Sequence, residues 1–354
     1  MTLKSKITPH RGGPRVVGYV QHQTDALMDG CDLYRIILPL VTLKQQGYPV
    51  EWSNNINRIA DNGDKWDILV LTRLYTLVPE IRAKLFPMMK AAGKKIVLDI
   101  DDDLWELPPW NRYQVTDIDG LSDMVSQVDM VTVSTQPLFD RIKMLNPNVR
   151  LLPNAIAPSM WGFNRKEARF VDGLTVGVHG GDSHSRDWAV LVELFTDLAL
   201  SFPELKFVVS GYNPPELDVL DVPGFADRYT KLPWASIREF PVLVGQVDIG
   251  LCPLSDDAFN RSKSALKWME YGALGIPAVC SPVVYPTVVR HGYNGYIART
   301  PDEWYEYVSD LVKSASLRNR IGQQARREVY QQCNMNARAL LWYIAYRKLW
   351  GAQK

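Results

Sequence analysis

Short apolar runs alternate with helical stretches along nearly the whole chain, and the alternation stops once and restarts. This pattern constrains the fold more than any other feature of the sequence. Val16–Val20, Val50–Trp52, Ile68–Leu71, Lys95–Ile100, Met130–Ser134 and Val149–Leu152 read as buried strands. Tyr34–Gln46, Pro79–Ala92, Leu121–Val128 and Leu138–Leu145 read as the intervening helices, with Gly47 and Gly93 as stops. Strands separated by helices predict a parallel sheet covered on both faces. Pro153–Asn164 breaks the rhythm with two prolines, a glycine and two asparagines, the composition of a linker.

The rhythm then resumes. Leu174–Val178, Lys206–Ser210, Val247–Leu251, Ala278–Cys280 and Gly295–Ala298 read as strands. Trp188–Ser201, Ile237–Leu243, Ser264–Leu274, Pro282–Arg290, Pro301–Lys313, Leu317–Tyr330 and Ala337–Trp350 read as helices. Two successive α/β units predict two facing Rossmann-like domains. In such sheets ligands collect at the carboxyl ends of the strands. The loops Gln21–Gly30, Asp101–Trp110, Gly180–Asp187 and Pro253–Lys263 are therefore where chemistry is expected. A chain of 354 residues with 46% apolar and 22% charged residues can bury two such cores and fits no disordered or fibrous class.

Charge and cysteine content narrow the setting. The balance of 40 Lys+Arg against 39 Asp+Glu excludes a strongly basic nucleic-acid coat. Cys31, Cys252, Cys280 and Cys333 are scattered, with no zinc spacing, and read as buried free thiols of a reducing, cytoplasmic compartment. Met1–Arg15 has no apolar core of a signal peptide, and no run approaches the ~18 apolar residues of a membrane span. The final helix, Ala337–Trp350, reads as core packing in preference to a membrane anchor, having three basic residues.

Four stretches carry possible chemistry. In Phe259–Pro277, basic residues gather where a helix begins. That position favours anions, so Lys263 and Lys267 make sense if the first-turn N–H groups and the ammoniums share a diphosphate. Spacing puts Lys263 and Lys267 on one helix face. Glu270 could then accept from a ribose or sugar diol; the plain alternative is a solvated helix with a Lys267–Glu270 surface pair. In Gly177–Asp187, Gly180 and Gly181 would let the backbone approach a phosphate, or simply mark a turn. Asp187 is as readily an N-cap for the helix at Trp188. In Leu98–Trp105, Asp99, Asp101, Asp102 and Asp103 repel one another unless a metal, a cation or a substrate hydroxyl network compensates. The other possibility is a strand end with a capping acidic loop. The fourth stretch, Asp29–Arg35, offers Tyr34 and Arg35, with Arg35 on the surface by default. His22, His179 and His184 lie near strand ends in no metal-ligand spacing.

Lys263, Lys267, Glu270 and Gly275-Ile276-Pro277, with Asp248–Leu254 before and Tyr285, Gly292 and Asn294-Gly295 after, resemble the nucleotide-sugar site of family-4 glycosyltransferases (glycosyl transferases group 1). The resemblance covers most of the chain and is strongest from Leu174 to Ile297. It implies a GT-B fold of two Rossmann-like domains with the final helix crossing back to the first. The divisions implied are 1–157 for the acceptor, 158–335 for the nucleotide sugar and 336–354 for the returning helix. It implies a retaining glycosyltransferase whose donor is a UDP- or GDP-sugar, with no metal or other cofactor required. Glu270 would bind the donor ribose. Lys263 would hold the phosphates, with Gly180, Gly181, His184 and Arg186 as neighbours, and Lys263 and Arg186 would stabilise the leaving diphosphate. Asp101 and Asp102 would orient the acceptor hydroxyl, with Asp99, Tyr34 and Arg35 beside them. The family's usual Glu-x7-Glu pair is incomplete, since its first position falls at Ser262.

Two other classes compete. Asp99 and Asp101 after an apolar strand could be the nucleophile and general acid of a haloacid-dehalogenase-like phosphatase. The replacement at Ser262 could mark a non-catalytic nucleotide-sugar-binding protein. The acceptor is open among a glycan, a small molecule and a hydroxymethylated DNA base. Residues 1–157 hold 18 basic and 18 acidic side chains, which gives no electrostatic argument for DNA.

Overall fold

A computed structural model describes residues 12–20, 30–72, 79–111, 114–115, 117–184, 186–212, 217 and 225–351. The chain divides into two compact units: one of residues 1–105, 115–155 and 335–354, the other of residues 106–114 and 156–334.

The first unit runs β1 (Val16–Tyr19), a π-helical turn (Asp32–Ile37) continuing into α1 (Leu38–Gln45), β2 (Val50–Ser53), α2 (Ile56–Asp61), β3 (Ile68–Thr72) and α3 (Pro79–Ala91). It continues through β4 (Lys95–Ile100), α4 (Ile118–Gln127), β5 (Met130–Val133), α5 (Gln136–Lys143) and β6 (Val149–Leu151). The six strands lie parallel in the order β2-β1-β3-β4-β5-β6. All five residues of β3 and all four of β5 are buried, as a strand covered on both faces requires. The order reverses between β1 and β3. The loops that follow these strands, residues 21–29 and 73–78, lie outside the described residues, and so do His22 and Asp29.

The second unit begins with α6 (Pro158–Trp161), β7 (Thr175–Gly180), α7 (Ala189–Ser201), β8 (Lys206–Gly211) and β9 (Tyr229–Leu232). It continues with α8 (Phe240–Val244), β10 (Ile249–Cys252), α9 (Ala258–Arg261), α10 (Leu266–Ala273), β11 (Ala278–Cys280), β12 (Tyr296–Ile297), α11 (Pro301–Lys313) and α12 (Ala315–Gln332). Its strands are parallel in the order β12-β11-β10-β7-β8-β9. Two windings therefore diverge from β7 and β10, and their carboxyl ends flank the switch point where α/β sheets bind ligands. Trp188, Leu191, Phe195, Phe207, Ile249 and Leu251 anchor one buried cluster beneath this edge. The last helix, α13 (Met335–Gly351), belongs to the first unit. Its Trp342 and Tyr346 are buried there, Gln46 donates to the Asn336 carbonyl, and Arg338 donates to the Asn154 carbonyl.

Most elements fall within a few residues of their predicted positions; the exceptions are local. The helix expected from Ser264 starts at Leu266 with Ala265 at its N-cap, and a separate turn, α9, precedes it, with Asp257 accepting from the Asn260 N–H. Pro282–Arg290 contracts to one 3-10 turn, Tyr285–Thr287. Among the described residues no helix is long and apolar enough to cross a membrane.

Candidate functional site

At the carboxyl ends of β7 and β10, two loops and the start of α10 bring together most of the charged residues expected on the donor side. Glycines make the approach possible. A Cβ on Gly180 would lie 3.0 Å from the Lys267 ammonium and from the His184 ring. Gly211, at the end of β8, has φ +92°, and a Cβ there would fall 2.5 Å from the Gly180 carbonyl. At Gly211 a side chain would displace backbone, and at Gly180 it would press on the Lys267 and His184 side chains. Trp234, 56% exposed, lies over this backbone, 3.1 Å from the Cβ position of Gly211 and 3.6 Å from that of Gly181.

Lys263 and Lys267 do not share a helix face. Lys263 sits in the connection between α9 and α10, its ammonium 4.3 Å from the centre of the Phe259 ring, while Lys267 is in the first turn of α10. They still converge: burial, and then the Lys263 charge, pull Lys267 down to about 8. No side chain caps the start of α10. A pair of cations beside an uncapped helix start suits an anion, since backbone N–H groups and ammoniums act on the same oxygens.

His184 is bonded to Lys267 and to Asp187. Its Nδ1 lies 2.7 Å from Asp187 Oδ2 and its Nε2 lies 2.7 Å from Lys267 Nζ, so both ring nitrogens are taken. Burial, with the Lys267 charge, drives its pKa down to about 3. The ring is therefore neutral at pH 7, donating to Asp187 and accepting from Lys267. Asp187 is no N-cap: α7 begins beyond it with Trp188 at the N-cap position and no side-chain cap. Asp187 instead accepts at Oδ1 from the Ser255 N–H and from Asn260 Nδ2, each at 2.8 Å, which ties the loop after β7 to the loop after β10. Asn260 is not legible in the sequence, since its place here depends on this tertiary contact.

Glu270 is buried in the second turn of α10, so it is not the solvated surface residue of the plain alternative. Its Oε2 is 2.7 Å from Nε2 of His179, the penultimate residue of β7. Ser262, where the resembling family has its first glutamate, is buried and uncharged. Arg186 is exposed, with its guanidinium 4.0 Å from the centre of the Trp110 ring. Trp110 belongs to the stretch 106–114 that joins the second unit.

The residues expected on the acceptor side lie in the first unit, and the chain itself compensates much of their charge. Arg35 is buried and forks onto both oxygens of Asp99, at 2.8 and 3.0 Å, while its third nitrogen donates to the Leu152 carbonyl and to Asn154. Its guanidinium also lies 5.3 Å from the centre of the Trp342 ring. Burial opposes its charge, but Asp99 and then Asp101 outweigh that and hold its pKa above the ordinary value. Thr132 donates to Asp99 as well. A carboxylate so engaged is no nucleophile, which removes the phosphatase reading. It also makes Asp99 and Arg35 framework groups, and Arg35 is no surface residue. Tyr34 is likewise buried. Asp103 pairs with Arg141 at 2.9 Å. Asp101 and Asp102, half-buried, are the carboxylates of this cluster nearest to solvent. Among the described residues no group of three or more His, Cys, Asp or Glu is placed to hold a metal ion.

Residues 174–314 match the family model for glycosyl transferases, group 1, a span below half of the chain. Curated protein sequences return no match. Solved structures match over nearly the whole chain. The Anabaena protein HepE, in complex with UDP and glucose, superposes with a TM-score of 0.66 at 13% identity, covering 93% of this chain and 98% of its own. The catalytic domain of starch synthase IV from Arabidopsis thaliana, bound to ADP and acarbose, gives 0.66 at 10% identity, covering 95% and 99%. A glycosyltransferase from Rickettsia africae gives 0.64 at 10%, covering 96% and 99%. At such identities the likeness is one of fold, and it bears out the expected GT-B architecture of two Rossmann-like domains.

Proposed function

We propose that this protein is a glycosyltransferase that takes its sugar from a nucleoside-diphosphate donor held on the second unit. One observation carries the reading. Lys263, Lys267 and the uncapped start of α10 converge at the switch point between β7 and β10, within the span that matches group 1 glycosyl transferases. That HepE was crystallised with UDP and glucose supports a UDP-sugar as donor.

In this reading Lys263 and Lys267 meet the two phosphates, and Glu270 accepts from the ribose diol. Arg186, supported on Trp110, adds positive charge at the mouth of the loop. Cleavage of the anomeric C–O bond leaves its electron pair on the diphosphate. The cations and α10 N–H groups then face more charge in the transition state than in the ground state, and that difference lowers the barrier. The diphosphate oxygen can take the acceptor's proton, which fits transfer with retention. The first unit would hold the acceptor, with Asp101 and Asp102 orienting its hydroxyl.

Release of UDP from a panel of UDP-sugars, with and without mixed glycan and small-molecule acceptors, tests the activity, and proton NMR of the product gives the anomeric outcome. Asp101→Asn and Asp102→Asn are expected to slow transfer while leaving UDP affinity unchanged. A loss of UDP affinity in both variants contradicts the acceptor assignment.

A further inference from the structure

We propose that His179 is the positioning residue of the donor site: a neutral imidazole that aims the Glu270 carboxylate at the nucleotide. The inference rests on the donor-site reading above and adds a residue to which no role has been given.

His179 is the penultimate residue of an apolar strand, β7, and is 3% exposed. Its Nε2 is 2.7 Å from Glu270 Oε2, a contact that joins β7 to α10. The ring is wedged edge-on between aromatic neighbours, with its centroid 4.7 Å from Tyr271 and 5.5 Å from Phe240. Its Nδ1 is buried with no hydrogen-bond partner among the described residues. This asymmetry fixes the tautomer. An orphaned N–H costs more than an orphaned lone pair, so the proton belongs on Nε2 and is donated to Glu270. Burial holds the His179 pKa below its ordinary value, and the nearby Lys267 charge adds to that.

Neutrality matters to the carboxylate. An Arg or Lys here would cancel the charge of Glu270 and compete for its oxygens. A neutral donor with a single N–H fixes the carboxylate's rotation and leaves its negative charge to act on ribose hydroxyls. Tyr271 and Phe240 in turn keep the imidazole from turning. His179 thus does for Glu270 what His184 does for Lys267, and each buried imidazole orients one charged residue of α10.

The test is titration of UDP into wild type, Glu270→Gln, His179→Phe and His179→Gln, followed by steady-state kinetics with a UDP-sugar. His179→Phe keeps a planar ring and removes the donor. It is expected to weaken UDP about 5- to 20-fold, and to raise KM for the donor while kcat changes less. His179→Gln places an amide N–H close to the position of Nε2 and is expected to restore most of the affinity. In wild-type protein with 15N-labelled histidine, UDP is expected to shift the Nε2–H resonance of His179. If folded wild type binds no UDP, the donor-site reading itself fails; if Glu270→Gln binds UDP as wild type does, Glu270 has no part in the site and His179 has no carboxylate to aim. If Glu270→Gln is weakened while His179→Phe is not, only the role of His179 is overturned. Should His179→Phe not fold, an Nε2 resonance unmoved by UDP overturns it instead.

Discussion

At the residue scale the proposed donor site rests on Lys263, Lys267 and Glu270, the last of them buried. Glu270→Ala removes an acceptor whose hydrogen bonds to hydroxyls are worth about 1.5–3 kcal/mol each, so kcat/KM for the donor is expected to fall about 10- to 100-fold with folding intact. Unchanged kinetics in a folded variant would make Glu270 a packing residue. Lys267, held at about 8 against an ordinary 10.5, gives two trends of opposite sign. Its charged fraction falls from about nine-tenths at pH 7 to about one-tenth at pH 9, so UDP affinity should decline over that range. The unfolded chain keeps that proton up to about 10.5, so the unliganded protein should gain stability from Lys267 as pH rises from about 8. Thermal unfolding with and without UDP reads both trends, and Lys267→Gln should flatten them. The sequence showed Lys263, Lys267 and Glu270 as a group because cations at a helix start are locally unfavourable and ask for a reason. It did not show the role of His179, because a histidine near the end of an apolar strand looks like any core residue until its partner, 91 positions away, is known.

At the scale of elements, legibility followed burial. β3 and β5, buried along their whole length, stood out as apolar runs. β9 did not, being a four-residue strand at the edge of its sheet with Lys231 exposed. The short turn α9 before the predicted helix was hidden too, because it is one four-residue turn closed by a single capping interaction at Asp257. The acidic stretch after β4 was legible as a problem of charge, but its solution was not. Arg35 arrives from the helix after β1, and Arg141 from α5. Arg35 joins the ends of β4 and β6 and lies against Trp342 of α13, so it binds the first unit together. Arg35→Met leaves Asp99 charged and buried without its partner, which is expected to cost about 3–5 kcal/mol and to melt the first unit early. A two-step calorimetric trace with only the earlier step lowered is the expected result. An unshifted trace would mean that the pair contributes nothing to stability.

At the scale of the whole molecule, the double alternation of strands and helices was enough to reach two parallel α/β units, because connection rules leave few ways to fold such a pattern. It could not reach the membership of residues 106–114, which group with the second unit by tertiary contacts such as Trp110 with Arg186. Nor could it place His184 and Asp187 as supports of Lys267. The central claim is that the second unit is built to hold a nucleoside diphosphate. Calorimetric titration of UDP into wild-type protein and into Lys263→Ala tests it most directly. Saturable one-site binding to wild type is expected, weakened about 10- to 100-fold in the folded variant. Equal affinity in both, or no binding of UDP, ADP or GDP to the folded wild-type protein, would contradict it.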